Sequence, residues 1–193
     1  PNLAQVPSDL RFRRLVTASP GMKMVGADLQ AIELRMLAHY LHRYDDGQFA
    51  HNLLNDDIHQ VNADKIGISR KLVKTVTYAF LYGASDKKIG VSYDPTLSPI
   101  RARVKGKEIR EAFVDAIDGL EKLSSGVKNK VNSHGYINSI DGRRIFCDSA
   151  HKALNYLLQS SAGVVAKRWM VLVHDALEPM YSSAWQLAFI HDE

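Results

Sequence analysis

Apolar residues recur along this chain with two spacings, and the spacing sets the expected elements. From Met22 an apolar run with a glycine reaches Asp28, and the pattern then changes to Ile32, Met36, Leu37, Tyr40 and Leu41. The first part predicts a strand and the second the inward stripe of a helix, so 22–43 is expected to form a strand–helix unit. A polar segment at 56–67 leads to a helix from about Arg70 to Tyr82, with Ser69 as N-cap and Gly83 as its stop. Residues 91–104, with Pro95 and Pro99, are expected to be a loop. Ile109, Ala112, Phe113, Ala116, Ile117 and Leu120 mark an amphipathic helix over Lys105–Gly119. A further helix is predicted over 120–133, ending before Gly135. Tyr136–Phe146 reads as a hairpin turning tightly at Asp141-Gly142. A long helix is expected over about 149–180 and a last strand over about 184–191. Residues 1–21 read as an extended arm with a short strand at 12–16. Helices around a few strands make the fold class α+β.

Composition narrows the function classes. The 193 residues, 46% hydrophobic and 24% charged, suit one domain or part of a larger protein. Lys plus Arg number 25 and Asp plus Glu 21, a net charge of +4 that is compatible with a polyanionic partner without demanding one. Cys147 is the only cysteine, which excludes an internal disulfide and a cysteine zinc site. No signal peptide or membrane span is visible, since the most apolar stretch, Val164–Val173, is interrupted by Lys167 and Arg168. A reducing intracellular compartment, the cytoplasm, is expected. The chain opens on Pro1 and stops at Glu193, which reads as a piece of a longer polypeptide.

Three clusters can carry chemistry. Arg70, Lys74, Tyr78 and Tyr82 recur every fourth residue and form one slanting helical stripe. Two cations can hold a triphosphate and two rings can pack against sugar and base, although a solvated basic face with half-buried tyrosines has the same spacing. His151, Asn155 and Gln159 form a second stripe. Its amides suit the minor-groove acceptors shared by every base pair, and equally suit interhelical hydrogen bonds. Asp28 closes one apolar run and Asp192 with Glu193 closes another. Carboxylates at two strand ends can hold two divalent cations for in-line phosphoryl transfer, and oxygen-only ligands favour magnesium or manganese.

The order Asp28–Glu33–Arg35, then Arg70–Lys74–Tyr78–Tyr82–Gly83, then His191–Asp192–Glu193 resembles motifs A, B and C of family A DNA polymerases. The opening PNLAQVP, the DIH at Asp57–His59, the DGRR at 141–144 and the Asn155–Gln159 pair match in the same order, so the resemblance covers nearly the whole chain. It implies a right-hand polymerase architecture: a palm (small antiparallel sheet with helices) from 1–43 and 149–193, and helical fingers from 44–148.

By resemblance, Asp28, Asp192 and the Leu29 carbonyl would hold two Mg2+ ions (Mn2+ being possible), with Glu193 as an accessory acid. His59, Arg70 and Lys74 would grip the triphosphate, and Lys74 would also serve as a general acid. Leu29, Gln30, Glu33, Tyr78 and Tyr82 would complete the nucleotide site, Glu33 by excluding a ribose 2′-hydroxyl. Arg35, Arg143, His151, Asn155, Gln159 and His191 would contact primer–template DNA. Tyr78, where many bacterial members have phenylalanine, and His151 point to the phage replicative type and to ready acceptance of dideoxynucleotides. Leu29-Gln30-Ala31 departs from the usual motif. The implied activity is addition of deoxynucleoside triphosphates to a primer 3′-hydroxyl, in host cytoplasm if phage-encoded, with any processivity factor bound through regions outside this chain. The fragment alone is expected to be poorly active. Competing readings are a single-subunit RNA polymerase, opposed by Glu33 and Glu193; a metal phosphohydrolase using His59, His174–Asp175 and His191–Asp192; and a basic DNA-binding module without activity.

Overall fold

The computed structural model of the protein describes residues 9–180 and 183–190. The chain divides into two compact units, residues 33–162 and residues 1–32 with 163–193. Its elements are α1 (Leu10–Arg13), α2 (Ile32–Asp45), α3 (Gln48–Asn55), α4 (Ile58–Ile66), α5 (Arg70–Leu81), α6 (Asp86–Tyr93), α7 (Pro99–Asp115), α8 (Leu120–His134), β1 (Tyr136–Asn138), β2 (Arg144–Phe146) and α9 (Ala153–Leu177). Mostly helical with one small antiparallel sheet among the described residues, the fold is α+β. No helix among the described residues is long and apolar enough to cross a membrane.

The larger unit is a packed helical body. Leu34, Leu37 and Leu41 of α2, Val73, Val76 and Leu81 of α5, Phe113 of α7 and Leu158 of α9 are all buried. In α2, and in α5 once buried Thr77 is included, the spacing is the three- or four-residue one that gives a helix one apolar face. Around α5 pack α4, α6 and α7. The α6–α7 pair approaches closely enough that a Cβ at Gly90 would strike the Ala102 carbonyl, and one at Gly106 the Asp86 carbonyl. Only glycine fits at either point.

Several boundaries differ from the sequence expectation, each for a local reason. The polar segment 56–67, for which no element was expected, contains α4, bracketed by the Asp57 N-cap and Gly67 at φ +76°. Its buried face, Ile58, His59, Asn62 and Ala63, is half polar, which hides the helical period. The expected loop 91–104 is largely helix: α6 runs to Tyr93, and α7 starts at Pro99 behind Ser98, whose hydroxyl accepts from the Arg101 amide. Proline at a first helical position starts a helix instead of breaking one. The hairpin pairs Tyr136 with Phe146 and Asn138 with Arg144. Its loop spans 140–142, closed by Ser139 and Arg143 and wider than a two-residue Asp-Gly turn, with Gly142 at φ +83°.

In the smaller unit, the strand expected at 12–16 is replaced by α1, which Asp9 caps by accepting from the Arg11 amide. No paired strand forms at 22–28 or across 184–190. A strand exists only with a ladder partner, and neither stretch has one among the described residues. Instead Gln186 Nε2 donates to the Met170 carbonyl at 3.1 Å, and Phe189 meets the Trp169 ring at 6.4 Å.

Candidate active site

α5 is built to display its polar stripe. Leu72 N–H donates to the Ser69 hydroxyl at the N-terminus, while Val73, Val76, Thr77 and Leu81 fill the inward face. That leaves Arg70 and Lys74 exposed on the opposite side, with Tyr78 half-buried and Tyr82 51% exposed at the helix end. Gly83, at φ +67°, follows directly.

α4 supplies the neighbouring group. His59 is 8% exposed, its ring centroid is 6.1 Å from that of Tyr78, and its Nδ1 has no hydrogen-bond partner among the described residues. Burial lowers the His59 pKa below its ordinary value, an effect opposed by the charge of Asp57 and reinforced by Arg70 and Lys74. The imidazole is therefore neutral at neutral pH. Asp57 accepts from the His59 and Gln60 amides through Oδ1 and from Arg70 Nε through Oδ2 at 2.6 Å. The Arg70 hydrogen bond is the largest of the effects holding its carboxyl below the usual range.

A second network closes the other end of the stripe. Glu33, 4% exposed at the start of α2, accepts the Tyr82 hydroxyl at 2.9 Å and Gln159 Nε2 at 3.5 Å through the same oxygen. Asn155 Nδ2 donates to the Leu81 carbonyl at 2.5 Å. Two residues beyond Gln159 along α9, Ser161 meets the Tyr40 hydroxyl at 2.8 Å. Residues from three distant parts of the sequence thus converge on the C-terminal end of α5.

Arg35 is an exposed residue of α2. Arg143 sits in the hairpin loop with its Nε on Asp141 at 2.5 Å. His151 is exposed in a short 3-10 turn before α9. In the smaller unit Asp28 is exposed, Leu29 is half-buried and Gln30 is exposed. Ala31 adopts φ +52°, an uncommon conformation for a residue with a side chain, just before α2 begins. His191, Asp192 and Glu193 lie outside the described residues. Among the described residues no three metal-ligating side chains come together. Asp28 and the Leu29 carbonyl are hard oxygen donors, the chemistry that a magnesium-type cation requires.

Sequence reasoning gave Asp57 no role of its own and did not see the Tyr40–Ser161 contact. The first had a signal, an Asp three residues before Gln60 at a helix start. The second had none, because it joins residues 121 apart.

The family model described as DNA polymerase family A matches residues 1–193. The chain is 31% identical over 199 residues to the DNA-directed DNA polymerases of Enterobacteria phage T3 and Escherichia phage T7, covering 92% of this chain and 27% of each relative. It is 32% identical over 194 residues to the DNA polymerase of Mycobacterium phage L5, covering 96% of this chain and 30% of that protein. The fold resembles that of the POL domain of Pol1 from M. smegmatis, in complex with DNA primer-template and dNTP, with a TM-score of 0.75 and 24% identity over 100% of this chain and 37% of that one. The chain therefore spans under a third of the length of these phage relatives, and it belongs to DNA polymerase family A.

Proposed function

We propose that this chain provides the nucleotide grip and part of the catalytic centre of a template-directed DNA polymerase of the phage replicative type. The observation that carries the reading is the arrangement along α5. Exposed Arg70 and Lys74 stand near buried His59, and Tyr82 is tied to Glu33 and Gln159 at the far end. The cations match a triphosphate. A carboxylate held by Tyr82 suits a position that excludes a sugar 2′-hydroxyl. Tyr78, packed beside His59, is the residue on which the phage-type reading chiefly rests.

In this reading residues 1–43 and 149–193 are palm and 44–148 fingers. Asp28, the Leu29 carbonyl and Asp192 would hold two magnesium ions, with Glu193 as an accessory acid. Such ions would lower the pKa of the attacking hydroxyl and neutralise charge on the phosphates. The chain's own side chains do the rest. Arg70 and His59 orient the phosphates, and exposed Lys74 donates a proton to the departing pyrophosphate. Arg35, Arg143, His151 and His191 would contact primer–template DNA. Asn155 and Gln159 hold the end of α5 and respond to duplex shape. The polymerase works on DNA inside the host cell.

The test is single-nucleotide incorporation by the full-length protein that carries this chain. Lys74→Ala is expected to slow incorporation by about 10²–10⁴-fold, the range for a lost general acid, while primer–template affinity stays within about threefold. An unchanged rate would overturn the reading of the α5 stripe.

A further inference from the structure

We propose that Asp57 is a positioning residue that aims the Arg70 guanidinium at the nucleotide's phosphates; the proposal rests on the reading of α5 as a triphosphate grip. One carboxylate does two jobs here. Its Oδ1 accepts from the backbone N–H groups of His59 at 3.1 Å and Gln60 at 3.2 Å, completing the first turn of α4. Its Oδ2 accepts from Arg70 Nε at 2.6 Å, at the first residue of α5. The N-termini of the two helices that carry the phosphate-facing groups are therefore joined through a single side chain.

Capping alone does not require this charge, because serine or asparagine caps a helix as well as aspartate. What the charge adds is the bond to Arg70. It engages Nε and leaves both terminal nitrogens without a hydrogen-bond partner among the described residues. A guanidinium fixed at Nε keeps its terminal pair directed outward in a fixed plane, the geometry that recognises phosphate oxygens. Ordering the side chain in advance lowers the entropic cost of binding.

Two further considerations set the expected direction. The Arg70 and Asp57 side chains are 49% and 45% exposed, so the pair adds little to folding stability and its effect belongs in ligand binding. The same negative charge repels an incoming polyphosphate. Orientation and repulsion thus predict opposite signs when the charge is removed, and the proposal commits to orientation.

The experiment uses the full-length polymerase, a matched primer–template and one deoxynucleotide. Asp57→Asn, which keeps the cap, is expected to raise the apparent KM for the nucleotide about tenfold, the scale of one charge-assisted hydrogen bond. Its kcat, its melting temperature and its affinity for primer–template should stay close to those of the unsubstituted protein. On an Arg70→Ala background the further substitution Asp57→Asn should have no effect on KM. An unchanged or lowered KM in Asp57→Asn overturns the proposal, as does a full effect that persists without Arg70. If Arg70→Ala alone leaves KM unchanged, the triphosphate reading itself falls, and the proposal with it.

Discussion

The two compact units of this chain treat their apolar residues in opposite ways. In residues 33–162, Leu37, Leu41, Val73, Ile89, Phe113 and Leu158 are completely or almost completely buried. In the smaller unit, Val25 is 91% exposed, Leu15 80% and Leu187 66%. Composition does not explain the contrast, since both regions are rich in aliphatic residues. The difference lies in how backbone hydrogen bonds are satisfied. A helix closes its bonds within a few residues, so α4, α5 and α7 form locally and then pack their apolar faces. A strand closes its bonds only against another strand. The apolar runs at 22–28 and 184–190 have no such partner among the described residues, and their side chains have no second layer to enter.

The largest expected effect breaks this contrast at its strong side. Gly106→Val puts a branched side chain against the Asp86 carbonyl at the α6–α7 crossing, and should destabilise the larger unit by more than about 4 kcal/mol. Leu187→Ser, at an exposed position, should change stability by less than about 0.5 kcal/mol. Hydrogen exchange read segment by segment in the full-length protein checks both. Loss of protection in α5 and α7 is expected from the first substitution only. Equal effects from the two would show that the regions do not differ in packing as described.

The same physical distinction decides how much could be read from sequence alone. α5 was legible to within a residue, because Ser69, the inward spacing of Val73, Val76 and Leu81, and Gly83 all lie within one short window. α8 was equally plain, from Leu120 to the Gly135 cap. α4 was hidden by the buried polar side chains His59 and Asn62, which break the apolar period although they face inward. The start of α7 was hidden because Pro99 reads as a loop residue until Ser98 is recognised as the cap. At the site, the Arg70–Lys74–Tyr78–Tyr82 stripe followed from spacing. Its ties to Glu33, Gln159 and Asn155 did not, because they depend on which helices the fold brings together. Asn155 is instructive: its spacing left minor-groove contact and an interhelical hydrogen bond both open, and its amide holds the Leu81 carbonyl at the end of α5.

A smaller effect sharpens the comparison through pH. Burial holds the His59 pKa below its ordinary value. The unfolded chain then binds the proton more readily, so stability is complete above about pH 6.5, the ordinary histidine value, and declines as pH falls below it. His59→Gln should flatten that part of the stability–pH curve. Thermal melting between about pH 7.5 and 5 measures it. An identical slope in the two proteins would mean that His59 is not buried as a neutral ring.

Asp28 gives the most direct test, because the proposed metal chemistry rests on it. The measurement is single-turnover deoxynucleotide incorporation with magnesium by the full-length protein carrying Asp28→Asn. A metal-binding carboxylate predicts a fall of about a thousandfold or more, with primer–template affinity within about threefold of the unsubstituted protein. Incorporation within about tenfold of the original rate would contradict the assignment of Asp28 to the catalytic centre.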